Sequence, residues 1–166
     1  MDPLGESDIR ASFVNCSMGE ARRLSLPAGL AELPWSDLDF LGWRDPGAPD
    51  RGYLVVPREE GPLGVTLRAP RGVRRSLTKT NVCSLCETAH AGTGVALLAA
   101  RLAGPAGREG NTVGAYVCAD LACPLYVRGK KQSLLVKRYH GGLTLDEQLE
   151  RLAVNLDEFL ARVLNG

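Results

Sequence analysis

Residues 83–86 read Cys-Ser-Leu-Cys, and residues 118–123 read Cys-Ala-Asp-Leu-Ala-Cys. The two cysteine pairs are separated by 31 residues. Structural zinc sites take four soft ligands in a tetrahedron, and a two-residue spacer lets both thiolates of a pair face one ion. The pattern therefore predicts a structural Zn²⁺ site, which is closed to water because protein ligands fill all four positions. The predicted ligands are Cys83, Cys86, Cys118 and Cys123.

Paired cysteines have other uses, and these are less consistent with the sequence. The chain begins without a recognisable signal peptide, so we expect a cytoplasmic location, where thiols stay reduced and disulfides are rare. A redox Cys-x-x-Cys motif does not require a second pair, and an iron–sulfur cluster remains a further alternative. His90 follows Cys86 by four residues and could replace a cysteine as ligand. With four cysteines present, a surface or hydrogen-bonded histidine is the favoured interpretation, and Cys16 is expected to be a small buried apolar residue.

The charges are distributed unevenly along the chain, although the net charge is only +1. Residues 1–67 have a net charge of −5, and residues 141–166 a net charge of −3. Between them, residues 68–140 carry 12 basic and 3 acidic side chains, a net charge of +9. This pattern predicts an anionic partner that meets the basic part of the chain. No apolar run reaches the roughly 18 residues of a membrane span.

The pattern of apolar and turn residues predicts an α+β fold with a small antiparallel sheet. Both tryptophans lie in the apolar cluster of residues 30–43, which we expect to be core. Gly61-Pro62 marks a hairpin turn between two strands. Asp37, Asp39, Asp45 and Asp50 are expected to be solvated loop charges and N-caps. The predicted elements are helices at 7–15, 19–24 and 124–128, strands at 53–57, 64–68, 95–102 and 112–118, and a mobile glycine-rich loop at 104–111.

The C-terminal segment predicts an amphipathic helix. Thr144 and Glu147 form a capping box, and apolar residues then recur every three or four positions to Val163. We expect this apolar stripe to dock on the body of the protein. The predicted organisation is an N-terminal α/β lobe (1–80) packed on a zinc finger (81–140), followed by the helix (141–166). Together these segments are expected to form one compact unit and a monomer.

The order of a cysteine knuckle, a hairpin and a second cysteine pair leading into a helix is that of a treble-clef zinc finger. Three stretches carry a closer likeness: residues 41–46 (Leu-Gly-Trp-Arg-Asp-Pro), residues 81–86 (Asn-Val-Cys-Ser-Leu-Cys) and residues 114–130, which begin Gly-Ala-Tyr-Val-Cys-Ala-Asp. They resemble the elongation-factor-G-binding proteins and, more narrowly, the C-terminal zinc-finger domain of the fusidic-acid-resistance (FusB-type) proteins. The likeness extends over most of the chain, about residues 9–159.

The resemblance implies a function. Zinc would be held by the four cysteines. The protein would bind elongation factor G and help the factor leave the ribosome when fusidic acid has stalled it there. The drug-resistance proteins carry a helical bundle before the zinc domain, and this chain starts almost at that domain. Resistance activity is therefore less firmly implied than factor binding.

The resemblance and the charge pattern together indicate the residues that would contact the partner. The family's binding face uses basic and aromatic side chains near the finger, and the basic stretch before the first cysteine pair adds arginines. The candidates are Tyr116, Arg128, Lys130, Lys131, Arg71, Arg74 and Arg75.

Two other classes of function compete with this one. A ribosomal-RNA or other nucleic-acid binder would use the same charges, with Tyr126, Tyr139 and His140 as neighbouring aromatic groups. An enzyme is disfavoured because the sequence shows no open metal site, no glycine-rich phosphate loop and no nucleophile–base pair, and it contains only two histidines.

Overall fold

An antiparallel sheet of five strands is the centre of the fold in the computed structural model, which describes residues 1–70, 80–132 and 142–165. The strands in chain order are β1 (Leu41–Arg44), β2 (Arg51–Val56), β3 (Leu63–Arg68), β4 (Thr80–Val82), β5 (Ala89–Ala91), β6 (Val95–Arg101) and β7 (Thr112–Cys118). Five of them pair in the order β1-β2-β3-β6-β7, and β4 and β5 form a separate hairpin. The helices are α1 (Glu6–Ala11), α2 (Met18–Arg23), α3 (Gly104–Arg108), α4 (Cys123–Val127) and α5 (Leu145–Leu164). The predicted α+β class with a small antiparallel sheet and a C-terminal helix is confirmed.

Strand β2 is buried on both faces, so the sheet lies between two layers. Leu54 and Val56 point to the face that carries the larger core, and Tyr53 and Val55 point to the opposite face. None of the four is more than 4% exposed. The layer on the larger core is supplied by α5, through Leu152, Leu156, Phe159, Leu160 and Val163.

Helix α5 begins where the sequence predicts. The Thr144 hydroxyl accepts a hydrogen bond from Glu147 N, and the Glu147 carboxylate accepts one from Thr144 N. Burying each leucine of the apolar stripe contributes about 1.5–3 kcal/mol, which explains why the helix docks. Asn155 Nδ2 also donates to Leu85 O in the first cysteine pair, so α5 supports the finger directly. No helix in the described ranges is both long and apolar enough to cross a membrane.

The N-terminal segment forms the second layer over β1 and β2, and it reaches β3 through a bridge between Phe13 and Gly64. Ile9, Trp35 and Trp43 are at most 7% exposed in this smaller core, which confirms that the apolar cluster of residues 30–43 contributes to the core. Apart from the hydrogen bond of Asn15 to Arg101 O at the end of β6, the layer does not extend over β6 and β7, where Ala99 is half-buried and Tyr116 is 54% exposed. In the part of the chain that the structure describes, one half of this sheet face is therefore uncovered.

The glycine-rich segment after β6 is a short helix, α3, and the prediction of a mobile loop there was wrong. A Cβ atom at Gly107 would lie 1.7 Å from Leu102 O, so this glycine permits a close approach of helix and strand end. Asn111 N donates to Ala106 O, and Asn111 O accepts from Leu102 N. A high glycine content by itself indicates an interruption of secondary structure. Here Gly107 instead allows close packing. The first helix is also shorter than predicted and ends at Ala11.

Candidate metal centre and the surface beside it

Four buried cysteines converge at one end of the sheet. Cys83 and Cys86 lie in the turn between β4 and β5, Cys118 ends β7, and Cys123 begins α4. Their sulfur atoms all lie within 4.8 Å of one another. The Sγ–Sγ distance is 3.7 Å between Cys83 and Cys123, and 3.5 Å between Cys86 and Cys118. Four thiolates about 2.3 Å from one zinc ion are about 3.8 Å apart in a tetrahedron, so the cluster fits a structural Zn²⁺ as predicted.

The first cysteine pair is held in a tight turn by backbone hydrogen bonds. Cys83 N donates to Thr88 O, and Glu87 N donates to Cys83 O. Leu85 N points at Cys83 Sγ from 3.4 Å, which stabilises a thiolate there. Ser84 N donates to Tyr116 O at 2.6 Å. This bond fixes the turn to β7, two residues before the third cysteine.

The second cysteine pair is held by the loop between its members. Leu121 is fully buried with φ of 60°, a left-handed conformation that few non-glycine residues adopt. Its carbonyl oxygen lies against Gly42 of β1, where a Cβ would come within 2.4 Å. Ala122 is the N-cap of α4, so Cys123 is its first helical residue, one position earlier than predicted. The loop is thus pressed onto the sheet, and it sets the positions of two ligands.

The thiols form an interacting group. Hydrogen bonds from the thiols of Cys118, Cys123 and Cys86 lower the pKa of Cys83 well below its ordinary value. Contact with Cys118 and then Cys83 raises the pKa of Cys123 well above the ordinary value. One thiolate therefore forms readily, and further buried thiolates need positive charge beside them. A bound divalent cation supplies that charge, and its four ligands hold the finger closed.

His90 lies beside the metal centre and contacts one of its four cysteines. It is 3% exposed, and its Nε2 atom lies 3.3 Å from Cys118 Sγ. Burial lowers the pKa of His90, which favours the neutral imidazole. Its ring packs edge-to-face on Tyr126 at 4.7 Å. Of the predicted interpretations, the hydrogen-bonded histidine is confirmed.

Three of the candidate partner-binding residues follow α4, and each one is engaged by a carboxylate. Arg128 makes two hydrogen bonds to Asp39, of 2.6 and 2.9 Å, and its side chain is 16% exposed. Lys130 Nζ lies 2.8 Å from Asp37, and Lys131 Nζ lies 2.6 Å from Asp120. The side chains of Lys130 and Lys131 remain 57% and 45% exposed. Part of the basic surface is thus neutralised within the molecule.

Asp37, Asp39 and Asp45 have structural partners, so the prediction of solvated loop charges and N-caps was wrong for these three. Asp37 and Asp39 join the N-terminal segment to the finger across 93 and 89 residues. Asp45 is 6% exposed and accepts hydrogen bonds from Tyr53 Oη, Gly47 N and Ala48 N. Burial alone would raise the pKa of Asp45, but these bonds outweigh it and lower the pKa. No local signal could reveal the partners of Asp37 and Asp39, which are 93 and 89 residues away.

Asp50 behaves as predicted. Its side chain is 55% exposed and lies 3.9 Å from Arg68.

Tyr116 is the aromatic residue among the candidates for partner binding, and its side chain is accessible. It lies on the edge strand β7 and is 54% exposed. Its side chain points away from the larger core, because its strand neighbours Ala115 and Val117 belong to that core. The remaining candidates, Arg71, Arg74 and Arg75, lie outside the described residues, as do Tyr139 and His140.

Comparison with known proteins agrees with this geometry. The family model described as "FBP C-terminal treble-clef zinc-finger" matches residues 8–163. No curated protein matches the chain. Among solved structures, the fusidic acid resistance protein FusC is similar, with a TM-score of 0.62 and 14% sequence identity over 98% of this chain. At that identity the likeness shows the fold alone, and this chain covers 60% of the FusC chain.

Proposed function

Because this chain belongs to the FBP C-terminal treble-clef zinc-finger family, we propose that it is a zinc-stabilised module that binds translation elongation factor G. The observation that carries the proposal is the family match over residues 8–163. The convergence of four buried cysteines in one cluster supports it. The fold shared with a fusidic acid resistance protein supports a further step, in which binding promotes release of the factor from the ribosome.

The proposed mechanism is binding without catalysis. Four thiolates close the metal site, so zinc supplies rigidity to the surface beside it. A module of this kind changes the behaviour of its partner only by binding one conformation more tightly than another. Fusidic acid tolerance would follow as a consequence of that preference. We propose that the protein acts as a monomer in the cytoplasm.

The proposed contact surface contains Tyr116 with Lys130 and Lys131 near the finger. Exposed aromatic side chains are the residues that most often carry binding energy at protein interfaces. The two lysines are exposed enough to attract an acidic surface, which mainly speeds encounter and sets orientation. Arg128 is largely covered by its bonds to Asp39, so its proposed role is to position the segment that carries the lysines.

The first test is the affinity of zinc-loaded protein for purified elongation factor G, measured by calorimetry. We expect Tyr116→Ala to weaken binding about tenfold or more, as for an aromatic anchor. The Tyr116 carbonyl still accepts its bond from Ser84, so zinc content and melting temperature should be retained. Val154→Ala, at a 50% exposed position on α5, is the matched control. Unchanged affinity of Tyr116→Ala would remove the tyrosine from the surface.

A matched pair of variants separates the lysine charge from its structural contact. Lys130→Gln and Asp37→Asn each break the same ion pair, but only the first removes positive charge from the surface. We expect only Lys130→Gln to weaken binding and to reduce its salt dependence. Equal weakening by both would show a purely structural role for the pair. Absence of factor binding in every variant and the parent, together with salt-sensitive binding to ribosomal RNA, would favour the nucleic-acid alternative.

A further inference from the structure

A cleft of about 660 Å³ opens between the N-terminal segment and the open half of the sheet. Four arginines from four different elements line it: Arg23, Arg51, Arg68 and Arg101. Among the described residues that line the cleft, Glu20 is the single carboxylate. Cys16, expected to be buried, is half-buried at the same cleft. The lining therefore has an excess of positive charge.

The strand register brings like charges together. Arg51 is the direct partner of Arg68 across β2 and β3, and direct antiparallel partners point to the same face with Cβ atoms about 5 Å apart. Arg68 is also paired with Ala99, so Arg101, two residues further on β6, is its diagonal neighbour on that face. Like charges directly opposite each other destabilise a sheet. A bound anion would reverse that effect.

The acidic groups nearby compensate this charge only in part. Asp50 lies 3.9 Å from Arg68, and both side chains are more than half exposed, so the pair contributes little. Glu20 lies close enough to Arg101 and Arg23 to interact electrostatically. Its carboxylate, however, accepts hydrogen bonds from the backbone N–H and hydroxyl of Ser17 in the capping box of α2.

The cleft has a fixed floor. Asn15, 7% exposed, donates from Nδ2 to Thr66 O and Arg101 O and accepts from Thr66 N. The two strands pair directly only at Leu67 with Ala100 and at Arg68 with Ala99. Asn15 joins β3 and β6 just beyond these pairs, at Thr66 and Arg101. A floor held in this way is ordered before any ligand arrives, which lowers the entropy cost of binding.

We propose that this arginine cleft binds the phosphate groups of a nucleotide or of an RNA strand. Guanidinium groups bind phosphate oxygens in bidentate geometry. A dianionic phosphate also compensates several neighbouring arginines better than one carboxylate does. The cleft has the size of a small-molecule site. It opens at the Thr112 end of β7. Tyr116, four residues or about 13 Å further along that strand, is not among its lining residues, nor are Lys130 and Lys131.

The test uses the zinc-loaded protein with two probes, adenosine 3′,5′-bisphosphate and a short single-stranded RNA, at low salt. At a concentration about 100 times Kd, either bound probe should raise the melting temperature by about 5–10 °C. Arg51→Gln with Arg68→Gln should weaken binding about tenfold or more without lowering the melting temperature of the free protein. Arg22→Gln, on the same helix as Arg23 and outside the cleft lining, is the control and should bind normally.

The two probes distinguish the source of the phosphate. Binding of both probes, or of the bisphosphate alone, with loss in the double variant, supports a nucleotide-sized site. Binding of RNA alone with the same loss supports a site for a nucleic-acid backbone. The proposal is overturned if neither probe binds, or if the double variant binds the probes as tightly as the parent does. Polyglutamate serves as an anionic control without phosphate, and tighter binding of polyglutamate than of either probe would also overturn the proposal. The double variant should keep its affinity for elongation factor G, so this proposal and the proposed function can fail independently.

Discussion

The contact between Gly42 of β1 and the loop that joins Cys118 to Cys123 allows a quantitative prediction. A Cβ atom at position 42 would lie 2.4 Å from Leu121 O and 2.8 Å from Leu121 Cβ. The nearer of these atoms belongs to the backbone, and both belong to the loop whose two ends are the predicted zinc ligands Cys118 and Cys123. To reach even a 3.0 Å separation, the loop or the strand must move by about 0.6 Å.

We therefore expect Gly42→Ala to destabilise the protein by about 2–4 kcal/mol, at or above the upper end for overpacking. The melting temperature should fall by about 5–15 °C for a chain of this size. Because the displaced loop carries two ligands, zinc affinity should also fall. Thermal unfolding followed by circular dichroism and zinc competition with a chromophoric chelator measure the two effects.

Two further glycines serve as matched controls. At Gly52 the single close contact of the added Cβ is with Leu121 Cδ1, at 2.9 Å, and the next atom, Arg44 Cδ, is at an ordinary 3.5 Å. A side-chain end can rotate away, so Gly52→Ala should cost about 1 kcal/mol. At Gly47 the nearest atom is Asp45 Oδ1 at 3.6 Å, so Gly47→Ala should be neutral or slightly stabilising. A Gly42→Ala protein with the stability of Gly52→Ala, or with unchanged zinc affinity, would refute the reasoning.

Three other predictions test the centre and its supports. His90→Phe should keep the packing but remove the contact with Cys118 Sγ, and the chelator competition should show a 10- to 100-fold loss of zinc affinity. Arg128→Gln should cost about 1–2 kcal/mol in urea unfolding, because it removes both charge-assisted bonds to Asp39, and Asp39→Asn should cost a similar amount. The lowered pKa of Asp45 stabilises the fold above about pH 4, and this contribution is lost as pH falls through the native pKa. The melting temperatures of Asp45→Asn and the parent should therefore differ at pH 7 and converge as the pH falls below the native pKa of Asp45.

Each of these three predictions would be contradicted by a different result. If His90→Phe binds zinc as tightly as the parent, the histidine contributes packing alone and does not support the ligand Cys118. A stability loss in Arg128→Gln without one in Asp39→Asn would show that the arginine acts through another contact. A difference between Asp45→Asn and the parent that does not depend on pH would assign the effect of Asp45 to packing.

The parts of the fold that depend on local chemistry could be predicted from the sequence. The capping box at Thr144 and Glu147 and the spacing of apolar residues determine helix α5 whatever lies beside it. Alternation and turn residues likewise indicate the β2–β3 hairpin. Glycine-rich α3 was missed because Gly107 is present for a close contact, and a close contact has no local signature.

The sequence by itself determined the metal site and the family, because close cysteine spacing restricts the geometry and the ligand chemistry restricts the ion. Tertiary structure alone decided which charges remain available to a partner. Arg128 is neutralised by Asp39, 89 residues away, whereas Arg51 and Arg68 are brought side by side by strand register. Coulomb interactions depend on distance in space, and the chain brings these groups together only when the sheet and its two layers have formed.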